Sequence, residues 1–462
     1  MTSTFFGLEL ARRGLLAHRR ALETAGHNIA NVTTPGYSRQ EAVLSAANPL
    51  SHPAVHGVKP GQMGTGVSVE EIRRVKDNFL DRLIQNTTSS VGYWEDLQRG
   101  LARVEAVFPE PSDFGLQSLI TNFFGAWHDL SQNPGDPGME AVVKGAGHAL
   151  ATGIRFAYNE MQQLREDMIG QLEGYAREVN SLAERIRDLN EAIAQVRAAG
   201  GQPNDLLDAR DVLLEELAGY AAITVVEDPV TGTVDVAFGL AVDPDQRLVS
   251  GAEAVRRVEL AWDADDNPTG LNWEGTADPV VVDRGGVSGT LAVIASIDDY
   301  TADLNTLAGE LVRLVNDELV GGLDDGAQAE FFAPVNADED AAGVIRLGEH
   351  VDTVLDAVTS AEALSVAQLV EQKVMPGDTT ILYYYGGILA KIGSDLNNAA
   401  QGLANQELVL TQSKALRESV SGVSLDEEMT RVFQYQYGFQ AAARLTTVLD
   451  ELLDTLINRM AV

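Results

Sequence analysis

The seven histidines are the first residues to weigh for metal or acid–base chemistry. His52 and His56 stand four apart, which is a ligand spacing when both lie on one helix face. Pro49, Pro53 and Gly57 make that segment a loop, and no HExxH pattern occurs, so no metal site is assigned there. Asp263, Asp265, Asn267 and Glu274 occupy positions 1, 3, 5 and 12 of an EF-hand-like loop. Pro268 stands where the sharp turn of such a loop needs glycine, and the flanks at 258–262 and 280–282 read as strands, so an acidic hairpin turn is expected. Gly61-Gln62-Met63-Gly64-Thr65-Gly66 matches neither phosphate-loop spacing and reads as a turn. The adjacent carboxylates of Glu427 and Glu428 suit a helix start, where the macrodipole favours acid. The chain has no cysteine, which excludes disulfides, thiolate metal sites and a Cys nucleophile. No Ser/His/Asp set can be assembled. Neither enzymatic activity nor a metal or cofactor is expected.

Length and charge narrow the class further. At roughly 150 residues per domain, 462 residues suggest about three domains. With 45% apolar and 22% charged residues, the chain can bury a core. The net charge of -35 argues against a nucleic-acid partner and against docking on an anionic membrane. Residues 201–350 hold 31 acidic and 7 basic side chains, and so carry 24 of the 35 net negative charges. The first 45 residues run the other way, with Arg12, Arg13, Arg19, Arg20 and Arg39 against Glu9, Glu23 and Glu41. No apolar run approaches the ~18 residues of a membrane span. Glu9, Arg12 and Arg13 interrupt Phe5, Phe6, Leu8 and Leu10, so no secretory signal is expected.

The elements that would position any functional surface are mostly helical. Leu8, Leu15, Leu22 and Ile29 recur every seven residues, with Ala11, His18 and Ala25 between them, which is coiled-coil spacing. Thr34-Pro35-Gly36 stops this helix. From Ile154 to Val196 apolar residues alternate at steps of three and four, giving a long helix closed by Gly200-Gly201-Gln202-Pro203. Asn204 or Asp205 is expected to cap a returning helix through Leu213 and Leu217. Residues 221–290 alternate in strand fashion between Asp-, Pro- and Gly-rich turns. Helical spacing returns at Leu304 to Leu314, at Leu389 to Leu403, and from Leu425 to the end, the last about 57 Å long. The fold class is mixed and mainly α: a terminal-helix coiled coil, an elongated helical domain and a small inserted β domain. The expected boundaries are 1–36 with 425–462, 37–220 with 291–424, and 221–290.

Isolated amphipathic helices are marginal in water, so the two terminal ones need partners. Paired antiparallel with both chain ends together, residue 12 would fall opposite about 451. Arg12 and Arg13 would then meet Asp450 and Glu451.

Asn28-Ile29-Ala30-Asn31-Val32-Thr33-Thr34-Pro35-Gly36-Tyr37 resembles the N-terminal signature of bacterial flagellar rod, hook and hook-associated proteins. The continuation Ser38-Arg39-Gln40 looks like the hook-associated protein 1 (hook–filament junction protein) family. Glu418-Ser419-Val420-Ser421-Gly422-Val423-Ser424-Leu425-Asp426-Glu427-Glu428 is similar to the stretch that opens that family's last helix, and Tyr435-Gln436 with Phe439 to Arg444 to its continuation. Asn204-Asp205-Leu206-Leu207-Asp208 with Arg210-Asp211, Phe123-Phe124 with Trp127, and Phe331-Phe332 extend the resemblance across nearly the whole chain.

The resemblance implies an extracellular structural protein at the distal end of the hook, joining hook to filament and needed for filament assembly and motility. It implies type III export without a cleaved signal, terminal coiled coils lining an inner tube, and the middle of the chain facing outward. Implied partners are copies of itself in a ring, the hook protein, the second hook–filament junction protein, and an export chaperone with the export apparatus. Another axial protein of the flagellum is the alternative. Subunit packing is expected at Leu8, Leu15, Leu22, Asn28, Ile29, Asn31, Pro35, Gly36 and Tyr37. At the other end it is expected at Leu445, Leu449, Leu452, Leu456 and Met460, which would also meet the chaperone. The inserted β region leaves room for one outer domain where longer relatives carry two.

Overall fold

The computed structural model describes residues 5–49, 64–240, 243–320, 330–336 and 339–455. His52, His56 and Gly61-Gln62-Met63 therefore lie outside the described residues, as do Leu456 and Met460.

Helix α1 (Phe6–Ala30) leads through a turn segment into an antiparallel hairpin, β1 (Gln40–Ala46) and β2 (Val67–Arg74). The helix ends at Ala30, ahead of the Thr34-Pro35-Gly36 stop. Then come α2 (Asn78–Val107), α3 (Leu116–Gln132), α4 (Pro137–Ala198) and α5 (Asn204–Tyr220). The Asp77 carboxylate caps α2 by accepting from the Phe79 and Leu80 amides. Helix α4 begins well before the periodicity that starts at Ile154, because Asp136 accepts from Gly138 N–H at 2.8 Å and Pro137 suits the first turn. It runs for 62 residues, about 93 Å. Gly200, at φ +77°, turns the chain out of it.

Seven strands follow: β3 (Ile223–Glu227), β4 (Val234–Phe238), β5 (Arg247–Ser250), β6 (Ala254–Val255), β7 (Val258–Trp262), β8 (Pro268–Trp273) and β9 (Pro279–Val280). They form two antiparallel meanders, β3-β4-β5-β6 and β7-β8-β9. Two asparagines of α4 fix these sheets to the helix by imitating a strand partner. Asn190 donates to Val234 O and Gly251 O and accepts from Val234 N–H, while Asn180 both donates to Val258 O and accepts from Val258 N–H at 2.8 Å.

The acidic hairpin turn between β7 and β8 forms as expected. Asp263 Oδ1 accepts from the amides of Asp265 and Asn267 at 2.9 and 2.8 Å, and Asp266 takes φ +57°. Among the described residues no group of three or more His, Asp or Glu is placed to hold a metal.

The chain returns to helix with α6 (Gly286–Val320), which starts inside the span read as β. Residues 341–368 then make three short helices, α7 (Ala341–Val344), α8 (Val351–Ala357) and α9 (Ser360–Gln368). Helices α10 (Ile381–Ser421) and α11 (Leu425–Asp454) complete the fold. The core runs along α4, where Ile154, Met161, Leu172, Val179 and Ile186 are buried against α2, α3 and α6. Phe123, Trp127, Phe331 and Phe332 close one end, with Phe331 and Phe332 rings 4.9 Å apart edge to face. Gly147 lets α4 approach them: a Cβ there would lie 2.6 Å from Phe331.

Candidate assembly interface

The two terminal helices, 395 residues apart along the chain from the end of α1 to the start of α11, pack antiparallel. Glycines set how closely they approach. A Cβ on Gly7 would stand 3.1 Å from Leu449, one on Gly14 3.5 Å from Ala442, and one on Gly438 2.6 Å from the His18 ring. Asn28 meets Glu428 at the far end. These four pairs share one register, which places residue 12 level with residue 444. That is one heptad away from the expected pairing of residue 12 with 451. Arg12 and Arg13 do not meet Asp450 and Glu451; both bind Glu9 on their own helix, at 2.8 and 3.1 Å. Close packing of small residues fixes a coil's register more strongly than exposed charges do, each such pair contributing only ~0.2–1 kcal/mol. Arg12 is the chief cause that holds the Glu9 carboxyl down at about 2.

The expected leucine seam is half-buried at Leu8, Leu15, Leu22 and Ile29, while the fully buried apolar positions of α1 are Ala11, Ala17, Ala21 and Ala25. On α11, Leu449 faces α1, while Leu445 and Leu452, one and two heptads on from Gly438, lie at the rim of that contact and stay 41% and 56% exposed. They edge an exposed apolar stripe with Val448, Tyr437 and Phe433 that winds from the rim of the α1 contact round to the outward face of α11.

Below the coil, the signature segment builds a polar joint. Asn28 is fully buried and uses its whole amide: Nδ2 donates to Gln40 O at 2.8 Å and Glu428 Oε2 at 3.0 Å, and Oδ1 accepts from Tyr37 O–H at 2.8 Å and Gln40 N–H at 2.9 Å. Burial, with Asp205, Asp208 and Glu428 nearby, raises the Tyr37 phenol well above its ordinary value, so it remains a donor. Asn31 closes the end of α1 by donating to His27 O and accepting from Thr34 Oγ1. Pro35 and Gly36 are exposed, and Gly36 takes φ +77° beside Val212. Glu428, expected as a simple helix-start acid, is 1% exposed and serves Asn28 and Arg431 instead.

Asn204 and Asp205 do not cap α5. Asn204 donates to Gln40 Oε1 and Ile72 O, and Asp205 accepts from Gln40 Nε2 at 2.9 Å, so both tie the hairpin to the body. Arg74 of β2 binds Asp208 and Asp211 at 2.9 and 2.8 Å, and Lys76 binds Asp211 at 2.6 Å. Burial pushes Asp211 up, but Lys76 and Arg74 outweigh it and hold its carboxyl below the ordinary range. Asp208 lies above its ordinary value, because burial there exceeds the pull of Arg74. One residue ties the two places where the chain passes between coil and body. Val75 N–H donates to Arg39 O at 2.8 Å, and Arg39 N–H donates to Ser421 O at 2.9 Å. The arrangement holds helices and strands in register.

Comparison with known proteins decides what kind of joint this is. The family model "Flagellar hook-associated protein FlgK helical domain" matches residues 101–332. Flagellar hook-associated protein 1 of Bacillus subtilis is 30% identical to the chain, covering 100% of it and 99% of the relative. The chain belongs to the flagellar hook-associated protein 1 family. The Salmonella typhimurium member of that family is 24% identical over 97% of this chain and 98% of its own. The model "Flagellar basal body rod FlgEFG protein C-terminal" matches residues 413–460, which span α11 and the end of α10. A solved structure titled the flagellar hook junction protein FlgK from Burkholderia pseudomallei superposes with a TM-score of 0.61 at 16% identity, covering 74% of this chain and 100% of that one, and so shares the fold. As in that family, the chain is a structural component of the flagellum, mainly α with a small β insertion.

Gly7, Gly14 and Gly438 were not singled out from the sequence. Gly7 and Gly14 repeat at the same seven-residue interval as the leucines, which was the available signal.

Proposed function

We infer that this chain is the adaptor that joins the flagellar hook to the filament, acting by packing and not by catalysis. What carries this reading is the end-to-end match to hook-associated protein 1 together with a terminal coil that leaves an apolar stripe outside its own pairing. The coil of 1–36 and 425–462 would line the inner tube. The middle segments 37–220 and 291–424 would surround it, and 221–290 would face outward. The concentration of acid in residues 201–350 supports the last placement, since a charged outer face discourages stray association. Copies of the chain in a ring, the hook protein and the second junction protein are the proposed neighbours, with an export chaperone on α11 before assembly through the type III apparatus. The rod-type C-terminal match alone would suit any axial protein; the match over 101–332 favours hook-associated protein 1.

Immunogold labelling of isolated hook–basal bodies tests the reading. A band of label at the distal hook end is expected. Label along the hook or rod, or none, would overturn it.

A further inference from the structure

The four arginines of α1 share only two glutamates, Glu9 and Glu23, and so remain a basic face. Between this face and β2 lies a groove of about 430 Å³ lined by Leu16, Arg13, Arg19, Arg20, Val67 and Val69. Leu16 sits on the side of α1 turned away from α11 and is 44% exposed. On α11 the outward stripe ends in Leu445, Val448 and Leu452, with Glu451 at its edge. Apolar residue and arginine thus face outward on one helix, apolar residue and carboxylate on the other. The register fixed by Gly7, Gly14 and Gly438 prevents them from meeting within one chain.

We propose that the α1–β2 groove of one copy receives the outward stripe of α11 from a second copy, Leu445, Val448 and Leu452 seating around Leu16 while Glu451 pairs with Arg13. The proposal rests on the axial-assembly reading above and names the surfaces through which copies meet. The contact is head to tail, because the two patches are different, and such contacts generate rings or helices where a two-fold contact would stop at a dimer. Setting Val448 level with Leu16 staggers the second coil by eight residues from the intrachain register, about 12 Å along the axis. Charge complementarity commits the occupant: α1 carries four Arg to two Glu, whereas α11 carries six acidic residues to two Arg.

The cysteine-free chain allows a direct test. Two full-length copies are produced together in flagellated cells, one bearing Leu16→Cys and one, tagged to differ in size, bearing Val448→Cys. Hook–filament particles are isolated, checked for label at the hook tip and oxidised. The mixed cross-link is expected at least tenfold above either like-with-like product. Arg13→Glu on the first copy should reduce it about tenfold, and Glu451→Arg on the second should restore it. Particles that carry the protein but give no mixed product, only like-with-like products, or a Leu16→Cys adduct with a different axial protein, would overturn this pairing. Particles lacking the protein would instead overturn the axial reading beneath it.

Discussion

Asn28 of α1 and Glu428 of α11, 400 positions apart in the sequence, meet in a buried hydrogen bond of 3.0 Å. The same amide holds Gln40 and Tyr37, so one side chain joins the first helix, the last helix and the hairpin. Asn28→Leu preserves size but strips Glu428 Oε2 of its donor and strands the Gln40 amide. A loss of about 2–3 kcal/mol in local stability is expected. Hydrogen exchange should then speed up by roughly 30- to 160-fold in α1 and α11 while the amides of α4 keep their protection. Equal acceleration everywhere would mean that Asn28 supports the whole fold and not the joint.

Gly438 exists as glycine because the His18 ring occupies the space of a side chain. Gly438→Ala should destabilise the coil by about 1–3 kcal/mol through overpacking. Combined with His18→Ala, the loss should shrink by at least about 1 kcal/mol, since the two changes share one space. Thermal melts of the four proteins in this cycle provide the check, and additive losses would contradict the close approach.

Acid sensitivity should report on the ion cluster at the joint. Asp211 lies below its ordinary value in the folded protein, so it stabilises the fold above its unfolded value near pH 4, and this contribution is lost as pH falls through the lower folded value. Asp208 is raised and acts in the opposite direction. Lys76→Met removes the largest pull on Asp211 and leaves burial to push it up. The acid limb of unfolding, followed by circular dichroism, should move to higher pH by roughly half to one unit. A shift to lower pH would show that Lys76 does not control Asp211.

Two leucines a few residues apart should fail in different ways. Leu449→Glu places a carboxylate against Gly7 and should loosen α1 from α11 in the free protein, at a cost of about 2–4 kcal/mol. Leu452→Glu sits on the exposed stripe and should leave the melting profile of the free protein within about 0.5 kcal/mol. It should nevertheless abolish incorporation at the hook tip. Normal motility with Leu452→Glu would count against the stripe as an assembly surface.

Much of the architecture was legible because apolar spacing reports burial directly. The α4 run from Ile154 to Val196 and the alternation of the β insertion both follow from it. The hairpin of β1 and β2 and the helices α2 and α3 were not read as elements. In α2, buried Gln85, Thr87, Ser89 and Asp96 blur the apolar pattern. The signature motif was visible as a sequence, but its use of Asn28 was not, since a buried amide's partners come from Gln40 and Glu428, far apart along the chain. Register failed for a related reason. Charges at Arg12 and Glu451 suggested one alignment, whereas the steric fit of Gly7, Gly14 and Gly438 imposed another. Asn204 and Asp205 look like caps by type and position, and were drawn away by the tertiary demand of Gln40.

The tie through Arg39 has a mechanical consequence. Load applied to the coil reaches the body along two covalent strands, at 75–77 and 421–424, that flank Arg39 and are clamped by its peptide groups. Two strands in parallel share tension and barely stretch. Set so close together, they give little leverage against rotation about the line that joins them. The ties of Gln40, Arg74 and Lys76 to α5 add a third anchor off that line, so the joint passes on tension and bending together.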